Sequence, residues 1–179
     1  TRNNIFNIWK RGWDAINAAF KNPPTTTEQI LHPDKYIAGE VAQTVALTDE
    51  SVTLRDGWTD EWESSVGEYY LRQMLAVEIS QNDASKAAAG WGGDLLRVYQ
   101  NGDQMASELR ITWDTPNDGK EFNAAYAEYG DKRFGGSADA DGCWQNSSGA
   151  TCRLNITDDV ESLIVSAPTL AQAKALAGA

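Results

Sequence analysis

One histidine, two cysteines, two methionines and five prolines are all that 179 residues contain of these types, and each scarcity removes a class of chemistry. A zinc centre needs three or four ligands, usually two or more of them His or Cys. His32, with Cys143 and Cys152 far from it in sequence, cannot furnish one from this chain alone. Any Ser-His-Asp or Cys-His arrangement would have to run through His32, and no Gly-x-Ser-x-Gly elbow is present. Gly90-Trp91-Gly92-Gly93 lacks the Lys-Ser/Thr that follows in a phosphate loop. It reads instead as a backbone bend that lets Trp91 pack under a sheet. No run of about 18 apolar residues occurs, so no segment reads as a transmembrane helix. Positive charge is also short: 15 Lys and Arg face 26 Asp and Glu, a formal net charge of −11. That sign repels phosphate, which argues against nucleic acid or an anionic membrane as partner. Thr1-Arg2-Asn3-Asn4 does not read as a signal peptide and opens almost directly into an amphipathic pattern, as a mature or trimmed product would.

What is present supports a core. Hydrophobic residues make up 41%, and seven tryptophans each bring a large area to bury. Ile5, Ile8, Trp9, Trp13, Ile16 and Phe20 fall at helical spacing and predict a helix capped by Asn3 or Asn4 and ended by Pro23-Pro24. Its apolar stripe must lie on the rest of the chain, on a missing N-terminal half or on another protein partner. Thr25 and Glu28 fit a capping box opening a short turn that Pro33 closes. Asp34–Leu47 reads as extended, and 49–65 as a linker between a helical tail (1–48) and a second domain (66–179).

From Val66 the pattern predicts a helix to Ile79 and an Ala-rich helix at 84–89 capped by Asn82 or Asp83. Strands follow at 95–99 and 109–113 around an Asn101-Gly102-Asp103 turn. Thr115-Pro116 opens another helix, with a Gly/Asp-rich loop at 130–142. A strand at 162–166 and a helix at 169–177 complete the chain. The fold class is α+β: an N-terminal helical segment, then an antiparallel sheet with helices packed on one face. The repeated strand–strand–helix order suggests two related halves. One core is expected to join Trp91 and Trp113 to Tyr70, Met74, Leu96, Val98, Ile111, Phe122, Leu163 and Val165.

Cys143 and Cys152 flank a polar, Gly-containing turn, and a disulfide across that hairpin would contribute roughly 2–3 kcal/mol. The alternative is two unrelated buried thiols. Asn146-Ser147-Ser148 and Asn155-Ile156-Thr157 are glycosylation sequons. Together with a disulfide they point toward export. Asp131–Asp141 can hold calcium only weakly, since it lacks EF-hand spacing. Thr27–Pro33 places Glu28 four residues before His32 on a turn bounded by prolines. These two are the candidate site residues. The plainer reading of His32 is a helix-end side chain bonded to a carbonyl.

Two stretches carry a resemblance. Gly12–Phe20 with Asn22–Tyr36, and Ala88–Asp94 with Thr112–Thr115 and Glu121-Phe122, resemble blocks of secreted bacterial and archaeal metallopeptidase-like proteins whose zinc motif is of the HExxH type. The resemblance implies that this chain corresponds to a C-terminal part, without the zinc-binding half. It places His32 near that absent zinc as a remnant oxyanion donor oriented by Glu28. The function it implies is non-catalytic, in substrate docking or scaffold assembly of a secreted protein. No cofactor is expected in the chain itself, with zinc only if the missing half supplies it. The alternative is a free-standing extracellular structural or interaction protein.

Overall fold

The computed structural model describes residues 12–50, 53–54 and 57–178. In chain order the elements are helices α1 (Trp13–Lys21), α2 (Thr27–Leu31) and α3 (Pro33–Ala38), strand β1 (Thr59–Ser64), helices α4 (Gly67–Leu75) and α5 (Gln81–Ala88), strands β2 (Trp91–Asn101) and β3 (Gln104–Trp113), helix α6 (Pro116–Phe134), strands β4 (Cys143–Asn146), β5 (Gly149–Ile156) and β6 (Glu161–Ala167), and helix α7 (Leu170–Ala177). The first half of the predicted 5–20 helix, with its Asn3 or Asn4 cap, lies outside the described residues. No helix among those described is long and apolar enough to cross a membrane.

The strands form one antiparallel sheet in the order β1-β2-β3-β6-β5-β4. Two three-stranded halves, β1-β2-β3 and β4-β5-β6, therefore meet along β3 and β6, each followed by a helix, with α4 and α5 inserted between β1 and β2. Alternation along these strands assigns two faces. Leu109, Ile111, Trp113 and Ile164 point to one, where α4, α5 and α6 contribute Leu71, Leu75, Ala84, Phe122 and Tyr126. Tyr99, Ala106, Cys152 and Val165 point to the other, covered by Ala173 and Leu176 of α7 and by Leu54 and Trp58. The expected helical layer is present on one face, and the last helix lies on the opposite face. The expected single core is accordingly two clusters, with Leu163 and Val165 in the second. Tyr70, assigned to the core, is 63% exposed.

Local signals explain most boundaries. Thr115 and Asp118 form a reciprocal capping box with Pro116 at the first turn of α6. That helix runs on to Phe134, taking in five residues of the stretch expected as loop. Ser80, rather than Asn82 or Asp83, caps α5 by accepting from the Asp83 amide. At α2 the cap is Thr26, bonded to the Gln29 amide, one residue on from the expected Thr25. The stretch from Asp34 is helical before it becomes extended, because Pro33 starts α3 at its first position. The expected linker holds β1, and Leu54 and Trp58 within it are buried. Cys143 and Cys152 are bonded and sit directly opposite each other in β4 and β5.

Of the glycine cluster only Gly90 lies in a turn, with φ 78°, and Trp91 beside it is buried as expected. Gly92 and Gly93 belong to β2, at a bulge in its pairing with β3, and the chain at Gln43 lies on them. The Gln43 amide donates to the Gly92 carbonyl at 2.7 Å. A Cβ on Gly93 would stand 2.4 Å from the Gln43 carbonyl oxygen. The glycines are the condition for residues 40–50 to cross the sheet end. A second close approach fixes α6: a Cβ on Gly119 would stand 1.8 Å from the backbone oxygen of Asp159. Backbone cannot yield as a side-chain tip can. Gly119→Ala should therefore cost about 1–3 kcal/mol, read as a lower urea midpoint at unchanged m-value.

Candidate functional site

The two candidate residues from sequence are both placed at the end of the sheet where β2 begins and β3 ends; the His32 amide donates to the Glu28 carbonyl at 2.7 Å, but their side chains take other partners. Glu28, on α2, is 3% exposed and accepts from the Lys35 ammonium at 2.6 Å. His32, between α2 and α3, pairs through Nε2 with Glu68 Oε1 at 2.9 Å. Glu68, in the first turn of α4, is 2% exposed. The expected Glu28–His32 pair is thus replaced by two pairs. Helical spacing places residues 28 and 32 one above the other, yet each side chain bonds a different charged partner, Lys35 for Glu28 and Glu68 for His32.

Lys35 is the hub. Its ammonium reaches Glu28 at 2.6 Å and Glu40 at 2.7 Å, and also bonds Asp114 just past the end of β3. These three carboxylates are the one group among the described residues close enough together to hold a cation. The ammonium occupies the position a metal would take, so the group meets its cation within the chain. An ammonium has three protons to donate, and here each meets a carboxylate. Burial opposes the charge of Lys35, but its bonds to Asp114, Glu28 and Glu40 outweigh that and hold its pKa above the ordinary value. Burial pushes the Glu28 carboxyl up to about 7 despite Lys35, with Asp114 and Glu40 adding to the rise. The hydrogen bond to Glu68 raises the pKa of His32 against the opposing effect of burial.

A second buried carboxylate fixes the frame. Asp94 accepts from the Val66 and Gly67 amides at 2.8 and 2.7 Å and from the Trp91 indole at 2.8 Å. It thus satisfies the first amides of α4, which have no partner inside a helix, and sets where Glu68 stands. Thr27 Oγ1 accepts from the Tyr69 amide at 3.2 Å and joins α2 to the same helix.

Residues 32–177 match a family described as a domain of unknown function, DUF8575. The chain belongs to that family. No curated protein and no solved structure matches it. The DUF8575 span opens at His32, so Lys35, Glu40, Glu68, Asp94 and Asp114 lie inside it and Glu28 and α1 lie before it.

Sequence reading missed Lys35, Glu40, Glu68, Asp94 and Asp114 as members of this group. Five of the group, Glu28, His32, Lys35, Asp94 and Asp114, stand within the two blocks that carry the metallopeptidase resemblance. That shared placement was the available signal. The acidic loop considered for calcium is committed elsewhere. Asp131 accepts from the Trp144 indole, and Asp139 and Asp141 pair with Lys174. Both sequon asparagines, Asn146 and Asn155, are exposed.

The charges give a pH dependence. The folded chain keeps a proton on Glu28 that the unfolded chain gives up near 4.5, so between that value and about 7 stability falls as pH rises. His32 acts in the same direction: its stabilisation is present below the ordinary 6.5 and is lost as pH climbs through its raised value. The melting temperature should therefore decline from about pH 5 to about pH 8, and Glu28→Gln should flatten part of that decline. The variant should melt with wild type at the acid end and at or above it at the alkaline end. An unchanged slope in Glu28→Gln would show that this carboxyl titrates normally.

Proposed function

We propose that this chain is a non-catalytic module of a secreted metallopeptidase-like protein, working in substrate docking or scaffold assembly. The observation that carries the reading is α1. It buries none of its residues, and Phe20 is 84% exposed. The sheet and its helices meanwhile close two cores without it. A helix with an apolar stripe and no burial is a docking element in search of a surface. The partner along Ile5–Phe20 is then a zinc-bearing half or another protein. The Lys35 hub supports the non-catalytic part of the reading, since its ammonium is held by three carboxylates. Zinc would enter only with a separate half. The disulfide fits an oxidising, extracellular compartment, where Asn146 and Asn155 would be open to glycosylation. A free-standing extracellular assembly subunit is the second reading, favoured by an apolar groove between α4 and α6.

Two measurements test this. The purified chain, dialysed against zinc, should retain none by elemental analysis and should leave casein uncut. Deleting residues 1–21 should shift the melting temperature by no more than ~2 °C, because a helix outside the core carries little of the cooperative unit. Casein hydrolysis, or a large loss of stability on deletion, would overturn the proposal.

A further inference from the structure

We infer that the surface α1 docks on is the α4–α6 groove of a second copy of this chain, giving a reciprocal dimer. The inference rests on the reading of α1 as a docking element and names its partner. The groove holds about 510 Å³. Tyr70, Met74 and Val77 form one wall, Tyr129 the other, and Leu109 and Ile164 the floor. Tyr70 is 63% and Val77 66% exposed. Large side chains stand open along this wall, although the same face of the sheet is well packed a few residues away. On α1, Ile16 and Phe20 lie one turn apart on one face. The described helix is about 13 Å long by its residue count.

Charge favours this chain as the partner. Residues 1–24 carry Arg2, Lys10, Arg11 and Lys21 against the single acid Asp14, a net +3, while the rest of the chain carries −14. In net charge this basic segment is complementary to an acidic body of the kind it is attached to. Seating within the same copy is opposed by the tether. The Asn22 carbonyl accepts from the Tyr36 hydroxyl at 2.5 Å, and the Thr25 amide donates to the Gln29 side chain at 2.8 Å. These bonds keep the end of α1 beside α2 and α3, on the Glu68–Tyr69 flank of α4. Tyr70 and Met74 face the opposite flank at 3.6 residues per turn, and Val77 follows in the turn after α4. A single short helix buries little beside the roughly 1,200–2,000 Å² of a stable interface. A two-fold exchange forms the same contact twice and closes the assembly.

Sedimentation velocity on the full chain over a concentration series tests the inference. Wild type should dimerise reversibly. Phe20→Glu and, separately, Val77→Glu should each weaken the dimer at least about tenfold. Both positions are exposed, so folding, checked by circular dichroism, should be unaffected. An equimolar mixture of the two variants should associate more tightly than either alone, because one intact helix then meets one intact groove. Three results would overturn the inference: a wild type monomeric at all concentrations, a dimer untouched by either variant, or a mixture no better than its parts. Sedimentation of the monomer with phosphatidylglycerol vesicles would assign α1 to a membrane surface instead. Hydrogen exchange separates this failure from failure of the docking reading. Fast exchange of α1 in a monomer removes only the second copy, whereas slow exchange there removes both.

Discussion

The carboxylate of Asp94 is the contact on which the positions of the other parts depend. It is 7% exposed and takes three hydrogen bonds, from two amides at the start of α4 and from the Trp91 indole. A buried carboxylate persists only when its oxygens are met by donors. Here the donors come from the first turn of a helix and from the ring of the first residue of β2. One group therefore sets the angle at which α4 leaves the sheet. That angle places Glu68 under His32 and aims Tyr70 and Val77 into the open groove. The candidate site and the apolar groove are two flanks of one helix fixed by one side chain.

How much of this was legible follows from distance along the chain. The Asn101-Gly102-Asp103 turn, the Thr115-Pro116 helix start and the cysteine hairpin were readable because each signal lies within a few residues of what it specifies. Strand β1 was not. All six of its residues, Thr59–Ser64, are exposed, so there is no apolar alternation to read, and it is a strand because β2 offers an edge. The His32–Glu68 pair joins residues 36 apart, and Lys35–Asp114 joins residues 79 apart. Nothing local in a run such as His32-Pro33-Asp34-Lys35 names a partner at that range. The glycine pair misled for the complementary reason. Its purpose is a neighbour, the backbone of Gln43, about 50 positions upstream.

The surface divides by sign as well as by polarity. An acidic body repels copies of itself and stays dispersed. The same body carries a basic, amphipathic N-terminal segment with no fully buried residue in its described part. Strand β1, at the open edge of the sheet, is guarded by Asp60, Glu61 and Glu63 and by a bulge between Asp60 and Trp62. Edge-to-edge pairing is thereby discouraged, while the apolar groove on the sheet face is left open. Among the described residues, α1 and the groove both carry exposed large apolar side chains, Phe20 on the one and Tyr70 and Val77 on the other.

The Lys35 hub can be judged by what a reactive lysine would need. A nucleophilic or basic lysine has its pKa lowered, by desolvation without a counter-charge or by a neighbouring cation. Lys35 has the reverse, with three carboxylates around one ammonium and a raised pKa. Charges buried in this way contribute little net stability, because desolvation offsets much of their attraction. Their demand is geometric. Each carboxylate comes from a different stretch, Glu28 from α2, Glu40 from the turn after α3 and Asp114 from the end of β3. The ammonium is satisfied only when all three stretches are in register. Glu28, with its pKa near neutrality, is the member whose charge is least secure, and it is also the one that lies outside the family span. The helical lead-in is therefore joined to the DUF8575 domain through a carboxyl that titrates close to neutral pH, whereas the domain's own Glu40 and Asp114 still hold Lys35 when Glu28 is protonated.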